Sequence, residues 1–207
     1  MPDDRFAAVL LFGVPGAGKG TQGKALGQLP GFFHLSSGDI FRSLDPESNE
    51  GRQVRQYSER GELVPDELTI RIWKNWLDEQ IAAARFRPDR DLLLLDGIPR
   101  NVQQCEILEQ HIQVLRVIHL AAESDEPMIQ RIKNRALEEG RPDDANEEVI
   151  RRRFEVYRRE SAPVLGYYSN DLIADVDPLG TPAEVLARVL QIIIPVEKRF
   201  LQSRSAG

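Results

Sequence analysis

The chain has 207 residues with 27 Lys and Arg against 33 Asp and Glu, a formal net charge of −6, which excludes a broad basic face for nucleic acid as its main business. Hydrophobic content of 41% with 29% charged residues fits a water-soluble globular domain, and the length suits one domain spanning 1–207 with small appended lobes. The single cysteine, Cys105, rules out an intrachain disulfide and a cysteine-based zinc knuckle; with no signal peptide or long apolar run, the expected setting is a reducing cytoplasm, away from membranes.

In chain order, the apolar run Ala7 to Phe12 reads as a short buried strand. It breaks at Gly13 into a glycine-rich loop, Gly13-Val14-Pro15-Gly16-Ala17-Gly18-Lys19-Gly20-Thr21, after which Ala25, Leu26 and Leu29 resume with helical spacing. Strand, loop and helix together form a phosphate cradle. Glycines let backbone N–H groups turn inward, the helix start points its positive dipole end at an anion, and Lys19 reaches outer phosphates as a point charge. Gly20 stands where the usual P-loop has a hydroxyl residue, and the hydroxyl comes one place later as Thr21.

Phe32 to Leu35 is a second strand, leading into Ser36-Ser37-Gly38-Asp39 and a helix starting near Ile40, for which Ser or Asp supplies a cap. Arg42 lies near the start of that helix, where an anion site is favoured. A charged helix is expected over about 50–60 and another over about 66–84, started by Pro65 or Asp66. Trp73 and Trp76 on the latter read as packing residues. Asp91 to Asp96 is a continuous apolar run closed by a carboxylate, the pattern of a strand buried on both faces of a parallel sheet. Asp96 thus falls at a strand's carboxyl end, where open α/β sheets bind ligands and where a carboxylate near a P-loop holds Mg²⁺ through its water shell.

Val114 to Leu120 is a fourth strand. The three histidines, at 34, 111 and 119, are too scattered for a metal site. A helix from about Ser124 carries Arg131 and Arg135 on one face, a polar loop covers Ala136 to Glu148, and a long helix then carries Arg151, Arg152, Arg153, Arg158 and Arg159. In a net-acidic chain this basic cluster points to polyphosphate. A weak strand over 172–176 and a helix from Thr181 or Pro182 to about Ile194, ended by Pro195, close the chain. The alternation predicts an α/β fold with a doubly wound parallel sheet of about five strands.

These segments, in order along nearly the whole chain, resemble the nucleoside monophosphate kinases, and among them the short-lid adenylate kinases. The resemblance rests on the Gly-Lys-Gly-Thr loop, Ser36 to Asp39 with Arg42, Glu62-Leu63-Val64, Asp96-Gly97-Ile98-Pro99-Arg100 with Gln104, Arg131 and Arg135, the stretch from Asp143 to Arg153, and Gly166-Tyr167-Tyr168. It implies reversible phosphoryl transfer from ATP to AMP with Mg²⁺. Gly13, Pro15, Gly16, Ala17, Gly18, Lys19, Gly20 and Thr21 would hold the ATP phosphates, and Arg131 and the backbone near Gly180 its adenine. Ser37, Arg42, Glu62, Leu63, Val64, Gly97, Ile98, Pro99, Arg100 and Gln104 would hold AMP, with Arg42 and Arg100 on its phosphate and Gln104 on its base.

By the same resemblance Arg135, Arg141 and Arg153 would close over the phosphates from the lid side, Asp96 would orient the Mg²⁺ water shell, and the chain would act as a monomer. Residues 36–65 would form the acceptor lobe and 136–146 the lid, without the cysteines of zinc-bearing lids, so no zinc is expected. Ser37 replaces the commoner threonine and Ile98 the commoner phenylalanine. Ala145 lengthens the spacing from Asp143-Asp144 to Glu147-Glu148, which leaves both aspartates without an assigned role. Asn101 is shared with uridylate and cytidylate kinases, which makes a pyrimidine monophosphate kinase the alternative; a non-catalytic nucleotide sensor would have little use for the full set of cations.

Overall fold

The computed structural model describes residues 5–139, 144 and 146–205. Five strands form one parallel sheet in the order β2-β3-β1-β4-β5: β1 (Phe6–Gly13), β2 (Phe32–Ser36), β3 (Leu92–Asp96), β4 (Ile112–Leu120) and β5 (Ile173–Val176). The number and direction of strands are as the sequence predicts.

The core splits by strand parity. Ala8, Leu10 and Phe12 of β1 join Leu93 and Leu95 of β3 on one face, while Ala7, Val9 and Leu11 join Leu92 and Leu94 on the other. Both sets are buried, which is why these strands read as unbroken apolar runs. Helices α4 (Asp66–Ala82) and α5 (Val102–Leu108) cover the first face, where Trp73 is buried and Trp76 packs on Phe33. Helices α1 (Lys19–Leu26), α6 (Glu126–Glu139), α7 (Glu147–Val156) and α8 (Pro182–Ser205) contribute to the second. Between β2 and α4 lie α2 (Ser37–Ser43) and α3 (Asn49–Ser58).

Several boundaries differ from the sequence reading. The helix expected near Ile40 starts at Ser37, because Ser36 serves as the cap and its hydroxyl accepts from the Asp39 N–H. Residues 136–139 continue α6 instead of opening the loop, and the remainder of the predicted lid is described only at residues 144 and 146. Helix α7 ends at Val156, and Arg158 and Arg159 sit in a π-helical turn, Tyr157–Ser161.

The largest departure is at the carboxyl end, where α8 runs through Pro195 to Ser205. A proline removes one helical hydrogen bond and crowds the preceding turn. Here Val196 and Phe200, both beyond it, are buried against the second core face, and that burial offsets the loss. Among the described residues, no helix is long and apolar enough to cross a membrane.

Candidate functional site

The sheet order puts β3 and β4 on opposite sides of β1, so the chain reverses its winding at the carboxyl ends of β1 and β3. Crevices form at such reversals. In register, Leu11 of β1 faces Asp96 of β3, so the glycine-rich loop begins just above the Asp96 carboxylate. The loop lies flat on α6: a Cβ at Gly16, where φ is +81°, would stand 2.5 Å from the Met128 carbonyl oxygen. Only glycine allows that approach.

Lys19 opens α1 and folds back over the loop, donating from Nζ to the carbonyl oxygens of Gly13 (2.8 Å) and Val14 (3.0 Å). Burial pushes its ammonium down to about 8; Asp96 opposes this, and Arg100, Arg153 and Arg135 add to it. The Arg100 guanidinium is likewise shifted down, first by burial, then by Arg153 and Arg42 against the pull of Asp96. These cationic groups depress one another across the cleft, so each is stabilised when negative charge enters it. That arrangement suits an incoming polyanion.

Two cavities meet here. The first, of about 610 Å³, is lined by the loop from Pro15 to Thr21, Asp96, Arg131, Arg135 and Gly180. The second, of about 550 Å³, is lined by Ser37, Glu62, Leu63, Val64 and Gln104, with Tyr157 and Ser161 from the π-helical turn. Pro15, Gly38, Arg42, Gly97, Arg100 and Arg153 line both, forming a shared and mainly cationic boundary.

The cations rest on local partners. Arg42 Nη2 donates to Asp39 Oδ1 at 2.5 Å, and Lys24 of α1 stands 3.5 Å from the other Asp39 oxygen. Arg100 Nε donates to the Gly97 carbonyl at 2.7 Å, and the Ser37 hydroxyl donates to the same oxygen at 2.8 Å. Gly97 has φ +81°, and a Cβ there would come within 2.5 Å of the Ser37 oxygen. Arg131 donates to the Pro178 carbonyl at 2.9 Å and the Gly180 carbonyl at 3.4 Å, which ties α6 to the loop before α8. Arg135 and Arg153 both bind the carboxylate of Asp144, whose side chain is fully buried.

Most of the site residues read from the sequence therefore come together. Gly13 lies behind the cavity, offering its carbonyl to Lys19, while Ile98 and Pro99 are buried beneath the turn and line neither cavity. Arg141 and Asp143 fall outside the described residues. In the arginine run, Arg151 pairs with Glu147, Arg152 with Glu155, Arg158 with Asp125 and Arg159 with Glu160, all at the surface; Arg153 alone of the five lines the cavities. Asp144, Tyr157 and Ser161 are the additions that sequence reasoning missed. Their signal was weak, since each depends on which way one turn of the chain happens to face.

Asp96 suits the Mg²⁺ role expected of it. Its carboxylate is 8% exposed, lines the first cavity, and has Oδ2 turned toward Gly20, 3.4 Å from where a Cβ would stand. A hard oxygen donor at the floor of a phosphate cleft is the ligand type that this ion prefers.

Comparison with known proteins agrees with this geometry. The sequence profile of the family described as adenylate kinase matches residues 11–173. The chain is 41% identical over 189 residues to an adenylate kinase of Thermus thermophilus, covering 88% of this chain and 94% of that one. It is 40% identical over 186 residues to an adenylate kinase of Mycobacteroides abscessus (89% and 98% covered), and 38% identical over 192 residues to one of Flavobacterium johnsoniae (89% and 97%). With the glycine-rich loop, the paired cavities and the shared arginine wall in one chain, these matches place it in the adenylate kinase family.

Proposed function

We propose that the chain transfers the terminal phosphoryl group of ATP to AMP, reversibly, giving two ADP, with the first cavity as the donor site and the second as the acceptor site. The carrying observation is the boundary that the two cavities share, where Arg42, Arg100 and Arg153 face both sides beside the phosphate loop. Two polyanions repel when brought together, and the group in transit spreads its charge over its oxygens. Three guanidiniums and Lys19 at the junction offset both.

No protein nucleophile is needed, because a phosphate oxygen of AMP attacks in line and positioning carries much of the rate. Lys19 and the loop N–H groups hold the ATP phosphates, Arg131 and the Gly180 backbone its base, Arg42 and Arg100 the AMP phosphate, and Gln104 the AMP base. Mg²⁺ bound with ATP would supply charge neutralisation, with Asp96 the residue that holds its water shell. Residues 36–65 act as the acceptor lobe and 136–146 as the lid, which together keep water from intercepting the phosphoryl group.

The test is a coupled assay with ATP and Mg²⁺ against AMP, CMP and UMP. Efficient ADP formation with AMP and poor turnover of both pyrimidines is the expected result. A preference for CMP or UMP, or hydrolysis of ATP without transfer, would overturn the assignment.

A further inference from the structure

Behind the acceptor cavity, three side chains form a closed polar network. Asn101 caps α5, its Oδ1 accepting from the Gln104 N–H at 2.8 Å, while its Nδ2 donates to Asp66 Oδ1 (3.0 Å) and Oδ2 (3.1 Å). Asp66 is the first residue of α4 and lines neither cavity. Gln104, 1% exposed, does line the acceptor cavity; its Nε2 donates to Asp66 Oδ1 at 2.7 Å and its Oε1 accepts from the Arg100 N–H at 2.7 Å.

This network dictates which end of the Gln104 carboxamide is oxygen and which is nitrogen. A carboxylate can only accept, so the end facing Asp66 must be the NH₂; a backbone N–H can only donate, so the end facing Arg100 must be the carbonyl. After those two bonds the carboxamide retains one N–H and one lone pair. A 6-aminopurine presents an acceptor at N1 beside a donor at N6, and a 6-oxopurine presents the reverse pair. A carboxamide held in one orientation can match only one of them at a given base position, and a half-turn flip exchanges the match.

We infer that Asp66 is a positioning residue for acceptor selectivity: it locks the Gln104 carboxamide in the orientation that accepts a 6-aminopurine nucleotide and rejects a 6-oxopurine one. Asn101 belongs to this lock, holding Asp66 in place. Its amide is thereby committed away from the nucleotide, which removes the feature that pointed toward a pyrimidine acceptor. The inference rests on the assignment of Gln104 to the acceptor base.

The experiment measures kcat/KM with AMP and with IMP as acceptor, at fixed ATP and Mg²⁺, for the wild type, Asp66→Leu, Asp66→Asn and Gln104→Leu. Asp66→Leu is expected to lower the AMP-to-IMP ratio about tenfold, mainly through KM for AMP, with KM for ATP unchanged. Asp66→Asn keeps an oxygen able to accept from both Gln104 and Asn101, and is expected to hold the ratio within about twofold of wild type. Loss of the ratio in Gln104→Leu but not in Asp66→Leu overturns the inference alone, as does an Asp66→Asn enzyme as unselective as Asp66→Leu. An unchanged ratio in Gln104→Leu instead overturns the base assignment beneath it. Should Asp66→Leu fail to fold, Asp66→Ala carries the same expectation.

Discussion

Asp144 and Arg153 meet at 2.5 Å, carboxylate Oδ1 to guanidinium Nη1, and the second oxygen of the same carboxylate takes Arg135 at 2.6 Å. One buried anion therefore aligns two cations from different helices, α6 and α7, along the phosphate cleft. Both guanidiniums also line the first cavity, where an incoming phosphate meets them. Asp144→Ala leaves both guanidiniums without this anchor. We expect kcat to fall by about tenfold or more, because misaligned charges stabilise the transition state poorly. Stability should drop by about 1–3 kcal/mol in urea denaturation, less than for a wholly buried pair because both arginines are partly solvated. An Asp144→Ala enzyme with wild-type kcat would show that the pair is ornamental.

Lys19 joins catalysis to pH. Its pKa lies at about 8 in the free protein, below its ordinary 10.5, with burial as the main cause. The charged form, which holds the polyphosphate, prevails below that value, so affinity for ATP is lost as pH rises through about 8. Bound phosphates favour the ammonium and raise its pKa. We therefore expect kcat/KM for ATP to decline with a midpoint near pH 8, falling about tenfold per pH unit above it, while kcat at saturating ATP stays level to higher pH. Lys19→Met should lower kcat by about 10²–10³-fold with an unaltered circular dichroism spectrum. ATP binding to that variant, measured by calorimetry, should be nearly flat from pH 7 to 9, and a wild-type slope there would remove Lys19 as the titrating group.

Arg42 tests the division between the two cavities. In the free protein its guanidinium rests on Asp39, and both side chains are substantially exposed, so the pair is weak and a phosphate can displace it. Replacing a charge-assisted contact to phosphate removes about 1.5–3 kcal/mol. Arg42→Ala should raise KM for AMP roughly tenfold to a hundredfold and leave KM for ATP within about threefold. Equal weakening of both nucleotides would mean that Arg42 serves the junction as a whole and not the acceptor.

What could be read from the sequence was what neighbouring residues determine together. The glycine-rich loop, the strand ending in Asp96 and the cap before α2 are contiguous in sequence and in space, so their chemistry survives translation into structure. Asn101 pointed toward a pyrimidine acceptor because another branch of the family shares it, whereas its cap position and the approach of Asp66 from another helix decide where its amide goes. Arg153 was singled out only by the family resemblance; the charge run by itself does not separate it from Arg151 and Arg152, since the choice depends on which face of α7 meets the sheet. Asp144 stayed unassigned because Ala145 shifts the spacing to Glu147, and its partners, nine residues away on either side and on separate helices, are not visible from spacing.

Pro195 shows the same limit in energetic form. Local propensity ends the last helix there, at a cost of about 3 kcal/mol for a proline in a helix interior. The chain continues because the turns beyond it bury Val196 and Phe200, 2% and 4% exposed, against the face that also holds Leu26, Val189 and Ile193. If that burial is what carries the helix past the proline, Phe200→Ala should cost about 3–5 kcal/mol and release the segment after Ile194. Urea denaturation measures the first effect, and amide hydrogen exchange at residues 196–204 reports the second. Protection that persists there in the variant would mean that the helix is held beyond Pro195 by its own backbone, and that the sequence rule failed for a local reason and not a tertiary one.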